Sequence, residues 1–204
     1  MRKSTIKLTN KEFDYISSKE YPIAKRIIIQ KICQQFDQMG IVLQQSIHSE
    51  SPKLAFEFQD ANFKTTKGEN YESLPYVVLD YPQIKGSDFV ILCRTMFWWG
   101  KYISFNVIFK TDEFDLKNCV HEIKNIKYPK LKVYLGKNIW QQNLSDKHFI
   151  KVADIPENDL YSLLKKQLYV KLSMKLNFKK SCLIEEFSKT FYQTVLDTLS
   201  ESDS

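Results

Sequence analysis

A chain of 204 residues with 43% hydrophobic and 14% aromatic content can bury one sizeable core, and its five glycines and six scattered prolines leave no room for a Gly/Ser-rich or Pro-rich linker. The net charge of +6, from 30 Lys plus Arg against 24 Asp plus Glu, is almost all lysine, so where the charge lies says more about a partner than its sum does. No internal repeat recurs, and residues 1–204 are expected to form a single domain.

The N-terminus, MRKSTIKLTNKEFDY, starts basic but lacks the apolar run of roughly 7 to 15 residues that a signal peptide needs. Apolar runs such as Ile27-Ile28-Ile29 and Pro75 to Leu79 are far below the roughly 18 residues of a membrane span. A soluble, cytoplasmic protein is expected. Cys33, Cys93, Cys119 and Cys182 lie far apart without a C-x-x-C pair, which predicts four reduced, mostly buried thiols.

Thr9-Asn10-Lys11-Glu12 fits a capping box, so a short helix should start there and carry Phe13 and Ile16 inward. Pro22 suits the first turn of a second helix. Ile23, Ile27, Ile28, Ile32 and Phe36 recur at helical steps, and Gly40 sits where a left-handed C-terminal cap would fall. Lys53 to Phe58 reads equally as strand or helical turn. The polar run with Gly68 predicts a loop, followed by a buried strand from Pro75 to Tyr81.

Residues 89–109 predict a central β-hairpin with Trp98, Trp99 and Gly100 as a three-residue loop, Gly100 in the left-handed conformation and Phe97 opposite Lys101. In that register Phe89, Ile91, Cys93 and Thr95 share an apolar face with Ile103, Phe105, Val107 and Phe109. The other face gathers Val90, Leu92, Arg94 and Met96 with Tyr102, Ser104, Asn106 and Ile108. A helix is predicted over Asp112 to Lys124. Short strands follow at Lys130 to Leu135 and Lys147 to Val152, around a loop with Gly136 and Trp140, and a helix starts at Pro156.

Leu168 to Lys179 alternates at every position, which predicts a strand with Tyr169, Lys171, Ser173, Lys175, Asn177 and Lys179 on its wet side. The leucines at 160, 164, 168, 172 and 176 also form a helical row, so the helical alternative stays open. A last helix, capped by Ser181, carries the stripe Leu183, Phe187, Phe191, Val195 and Leu199 ahead of an acidic tail at Ser200 to Ser204. The class that results is α+β, an antiparallel sheet with a central hairpin flanked by N-terminal and C-terminal helices.

Chemistry-bearing motifs are few. His48, His121 and His148 lack metal-ligand spacing, and neither a nucleophile elbow nor a phosphate-binding glycine loop is present, so no catalytic residue, metal or cofactor is implied. Arg94 in an apolar strand requires a carboxylate partner, with Asp80 and Glu69 as candidates. Either the pair is structural, or Arg94, Tyr102, Ser104, Asn106 and Asp80 line a pocket for a polar ligand. Trp98 and Trp99 pack on the core edge or mark a partner surface. Lys165, Lys166, Lys171, Lys175, Lys179 and Lys180, with no acid between Asp159 and Glu185, could track a phosphate backbone or simply be solvated. A catalytic centre assembled from distant residues would draw on Asp80, Arg94, Tyr71 and His121.

KGENYESLPYVVLDYP followed by CRTMFWWG resembles a segment of bacterial proteins of similar length that carry no assigned activity. The resemblance covers residues 67–110, implies a bacterial cytoplasmic protein and transfers no site residue. Three functions therefore compete: a non-enzymatic binding or interaction protein, with a protein or polar small molecule as its ligand; a nucleic-acid binder; and an enzyme.

Overall fold

Thr9 opens helix α1 (Asn10–Ser17) as its sequence demands. Its hydroxyl accepts from Glu12 N at 3.3 Å while the Glu12 carboxylate accepts from Thr9 N at 2.6 Å, so two orphan donors are satisfied reciprocally. The computed structural model describes residues 7–50, 58, 61–84, 86 and 89–200. The ambiguous Lys53 to Phe58 stretch lies outside these except for Phe58, and the tail after Ser200 lies outside them.

Helix α2 (Glu20–Glu50) runs 31 residues, straight through Gly40. The glycine is therefore not a cap. Its bare Cα faces the Phe63 ring, which leaves no space for a methyl group, so close packing explains the residue. The buried stripe is Ile29, Phe36, Met39 and Leu43, whereas Ile23, Ile27 and Ile28 face outward. On α1, Phe13 and Ile16 are 54% and 67% exposed, against the inward placement expected of them.

Seven strands form one antiparallel sheet: β1 (Lys64–Tyr71), β2 (Leu74–Tyr81), β3 (Ile91–Trp98), β4 (Tyr102–Lys110), β5 (Lys132–Tyr134), β6 (Phe149–Lys151) and β7 (Tyr169–Leu176). Their spatial order is β1-β2-β3-β4-β7-β5-β6. The polar segment around Gly68 is strand β1 rather than a loop. It sits at the sheet edge, where neither face demands apolar residues, and Glu72 and Ser73 turn it into β2 with φ of 47° and 65°.

The β3–β4 hairpin has the expected faces in a register two residues away from the expected one. Phe97 pairs with Ile103 and Trp98 with Tyr102, leaving Trp99, Gly100 and Lys101 as the loop. Lys101 N donates to Trp98 O at 3.0 Å, and Gly100 holds φ +70°, as the third residue of a type II turn requires. A shift of two keeps every side chain on its side, which is why the face assignment survives.

Helix α3 (Leu116–Asn125) starts later than Asp112 because the Asp115 carboxylate caps Lys117 N and Asn118 N. Helix α4 (Glu157–Leu164) follows Pro156. Helix α5 (Ile184–Ser200) is preceded by a 3-10 turn, Phe178–Leu183, whose N-cap is Asn177 rather than Ser181. Ile184, Phe191, Val195, Leu196 and Leu199 are buried, while Leu183 is exposed.

Helices α2, α3, α4 and α5 cover one sheet face, and Val77, Leu79, Cys93, Phe105, Val107, Val170 and Leu172 fill the core between them. The four cysteines form no disulfide; Cys93 and Cys119 are buried and Cys182 is exposed. No helix among the described residues is long and apolar enough to cross a membrane.

Candidate functional site

The face of the sheet away from the helices carries a polar row that crosses all seven strands. Its members pair in register: Lys64 with Asp80, Asp80 with Arg94, Arg94 with Asn106, Asn106 with Ser173, Ser173 with Lys132, and Lys132 with Lys151. Directly opposed residues share a face, so one side-chain row is enough to define it.

Hydrogen bonds lock the middle of the row. Arg94 Nε and Nη2 donate to the two Asp80 oxygens at 2.6 and 2.7 Å, the planar fork-to-fork geometry that lowers the cost of keeping a guanidinium in a strand. Asn106 Nδ2 donates to Arg94 O at 3.1 Å, and Ser173 Oγ donates to Asn106 Oδ1 at 2.7 Å. The Trp140 ring lies 4.6 Å from the Arg94 guanidinium. Asp80 is thus the Arg94 partner, and Glu69 instead pairs with Lys25 on α2.

A loop from Leu135 to His148 lies over this face, and buried donors hold it there. Lys171 is fully buried, without a carboxylate partner among the described residues, and its Nζ donates to Ile139 O at 3.0 Å and Gln141 O at 2.5 Å. Burial and then the nearby Arg94 charge push its pKa well below the ordinary lysine value. Lys171 therefore anchors a loop and is out of reach of any phosphate backbone, unlike the exposed Lys175 and Lys179.

Tyr102 is likewise a support. Its hydroxyl donates to Gln142 O at 3.1 Å and accepts from Leu144 N at 2.7 Å, and burial pushes its pKa up to about 12. Tyr71 packs edge-on against Trp98 and receives Gln142 N at 2.7 Å. Trp98 is a strand residue rather than a tip: it is 1% exposed, with Nε1 donating to Tyr71 O at 3.1 Å. Ser104 is buried beside Asn106.

Three concave surfaces surround these residues. A cavity of about 300 Å³ is lined by Lys64, Thr66, Asp80, Gln83, Arg94 and Trp140; of the five residues expected to line one pocket it holds Arg94 and Asp80, already paired with each other, and not Tyr102, Ser104 or Asn106. A second, of about 430 Å³, contains Tyr102 among lysines. The third, about 350 Å³, is apolar: Ile28 and Ile32 of α2 face Phe97, Trp99, Ile103 and Phe178. Trp99, the loop tryptophan, is half-buried on that groove and edge-on to Phe97.

The catalytic constellation does not assemble. His121 lies on α3 beside Glu157 on the helical side, and Tyr71 stands at the opposite end of the β1–β2 hairpin from Asp80, roughly 20 Å away at 3.3 Å per residue. No local pattern in the sequence marks the Leu135 to His148 loop as part of the site, because its backbone meets lysine and tyrosine side chains from distant strands. Against known protein families, curated proteins and solved structures the chain has no match, so this α+β sheet with its polar row and apolar groove is read from its own geometry.

Proposed function

We propose that the protein is a cytoplasmic interaction module that takes an amphipathic helix of another protein in the groove between α2 and the β3–β4 turn. The supporting observation is the groove itself, where Ile28 and Ile32 of α2 face Phe97, Trp99, Ile103 and Phe178 and Ile28 stays 41% exposed. An apolar concave surface left open to solvent is the kind of place a partner covers. Helix-in-groove recognition needs apolar anchors at helical spacing, and Trp99 supplies the large aromatic contact typical of a binding hot spot.

Charge selects the partner. Lys31 lies one turn beyond Ile28 and Lys179 follows Phe178, both exposed, so basic residues flank the groove. A helix with acidic residues beside its apolar stripe complements them, whereas a second copy of a chain with net charge +6 would bring like charges together.

Selection from a display library of amphipathic helical peptides tests the reading. Enriched peptides should carry i, i+3/i+4, i+7 apolar anchors with acidic flanks, and Ile28→Asp should weaken them by about tenfold or more. Peptides retained equally by Ile28→Asp, or no enrichment at all, would sink the proposal. A wild-type dimer that Ile28→Asp converts to monomer in light scattering would transfer the groove to a second copy.

A further inference from the structure

The cavity of about 430 Å³ at the ends of β4 and β7 is lined by Lys101, Lys130, Lys175 and Lys180 together with Tyr102, Asn177 and Phe187. The four lysines come from four separate places in the chain: the β3–β4 turn, the approach to β5, β7, and the 3-10 turn before α5. No acidic residue lines the cavity, and among the described residues none of the four ammoniums has a carboxylate within ion-pair distance. In a protein with 24 acidic residues, such a gathering leaves uncompensated positive charge in a concave, partly dehydrated place.

From this convergence we infer a binding site for a small polyphosphorylated molecule, with Lys101, Lys130, Lys175 and Lys180 neutralising its phosphate oxygens. The sheet supplies rigidity: Lys175 is fixed opposite Ser104 and its ammonium sits 5.3 Å from the Tyr102 ring centroid, while the Lys101 ammonium sits 5.2 Å from that of Trp98. Rings beneath two ammoniums restrict where they can go and so lower the cost of ordering them around a ligand. Next to the cavity, burial and then the Lys175 and Lys151 charges hold the Lys132 pKa below its ordinary value, the mark of a place where like charges already repel. A bound polyanion relieves that repulsion.

The shape favours a compact ligand over a nucleic-acid strand. The lysines surround one hollow instead of following a line, and the Tyr102 ring, buried beneath the Lys175 ammonium, is not free to stack on a base. This site is independent of the apolar groove, since neither Lys130 nor Lys175 lines it.

Titration calorimetry with inorganic tripolyphosphate, with ATP and with short oligothymidylate, each across a salt series, tests the inference. Wild-type protein should bind tripolyphosphate and ATP, more weakly as salt rises, and Lys130→Gln with Lys175→Gln should reduce the affinity about tenfold or more. Lys165→Gln with Lys166→Gln, exposed lysines outside the cavity, should change it less than about twofold. Equal losses in both pairs would reduce the effect to net charge and overturn the site. No tripolyphosphate binding at millimolar concentration would do the same, and oligothymidylate binding more tightly than either compact ligand would replace it with strand binding. Both Lys130 and Lys175 are exposed, so unchanged denaturation midpoints should accompany the loss; Lys180→Gln alone gives a second variant if the pair proves unstable.

Discussion

Trp98 and Gly100 sit two positions apart and do different work. The indole of Trp98 is buried among Tyr71, Tyr102 and Val78, whereas an added Cβ at Gly100 would meet nothing within 4 Å. Trp98→Ala should therefore cost about 3–5 kcal/mol through cavity formation and the lost Nε1 hydrogen bond. Gly100→Ala should cost only about 1 kcal/mol, from the positive φ alone. Urea midpoints of the two variants check the difference. Lys171 gives a prediction in pH. Its folded-state pKa is depressed, so between that value and the unfolded value of about 10.4 the unfolded chain binds the extra proton. The stability of wild type relative to Lys171→Met should accordingly rise with pH through this window, by at most about 1.4 kcal/mol per pH unit, and fall towards acid. Denaturant titrations of both proteins between pH 7 and 10 measure it; parallel curves would show that folded Lys171 keeps its proton over the whole range, as a hydrated lysine does.

At the level of elements, helix α1 forms where its capping box placed it and yet packs almost nothing. Phe13→Asp with Ile16→Asp should leave the unfolding free energy, measured by urea titration, within about 0.5 kcal/mol of wild type, as exposed substitutions do, while inward packing of these residues would make the pair severely destabilising. Elements governed by local chemistry were legible: the α1 cap, the β3–β4 faces and the antiparallel α+β class follow from period and capping, while the alternation over residues 168–179 favours a strand and leaves a helix open. Elements whose identity depends on a neighbour were not. β1 has the composition of a loop and becomes a strand because β2 offers it a ladder, with a Glu72–Ser73 turn that lacks the glycine such turns usually advertise. Gly40 reads as a helix end and is a helix interior because Phe63, a distant residue, needs the space. The site was legible in the same uneven way. Asp80 as the Arg94 partner follows from two adjacent strands, but the burial of Lys171 depends on a loop arriving from residues 135–148, and the lysine hollow on four segments that meet only in the folded sheet.

For the whole molecule, the telling feature is the place of β7. It is the last strand among the described residues but lies in the interior of the sheet, hydrogen-bonded to β4 on one side and β5 on the other. During vectorial synthesis on a ribosome, the β1–β4 meander can form as soon as it emerges, since each of its pairings is local. The β5–β6 hairpin emerges next but has no strand to lean on until residues 169–176 follow. Until then β4 presents an open ladder, and Ile103, Phe105, Val107 and Phe109 have no β7 beside them. The nascent chain thus passes through a stage with an exposed apolar strand, which ends only when a late segment slots between two earlier ones, and α5, made last of all, then seals the core over it.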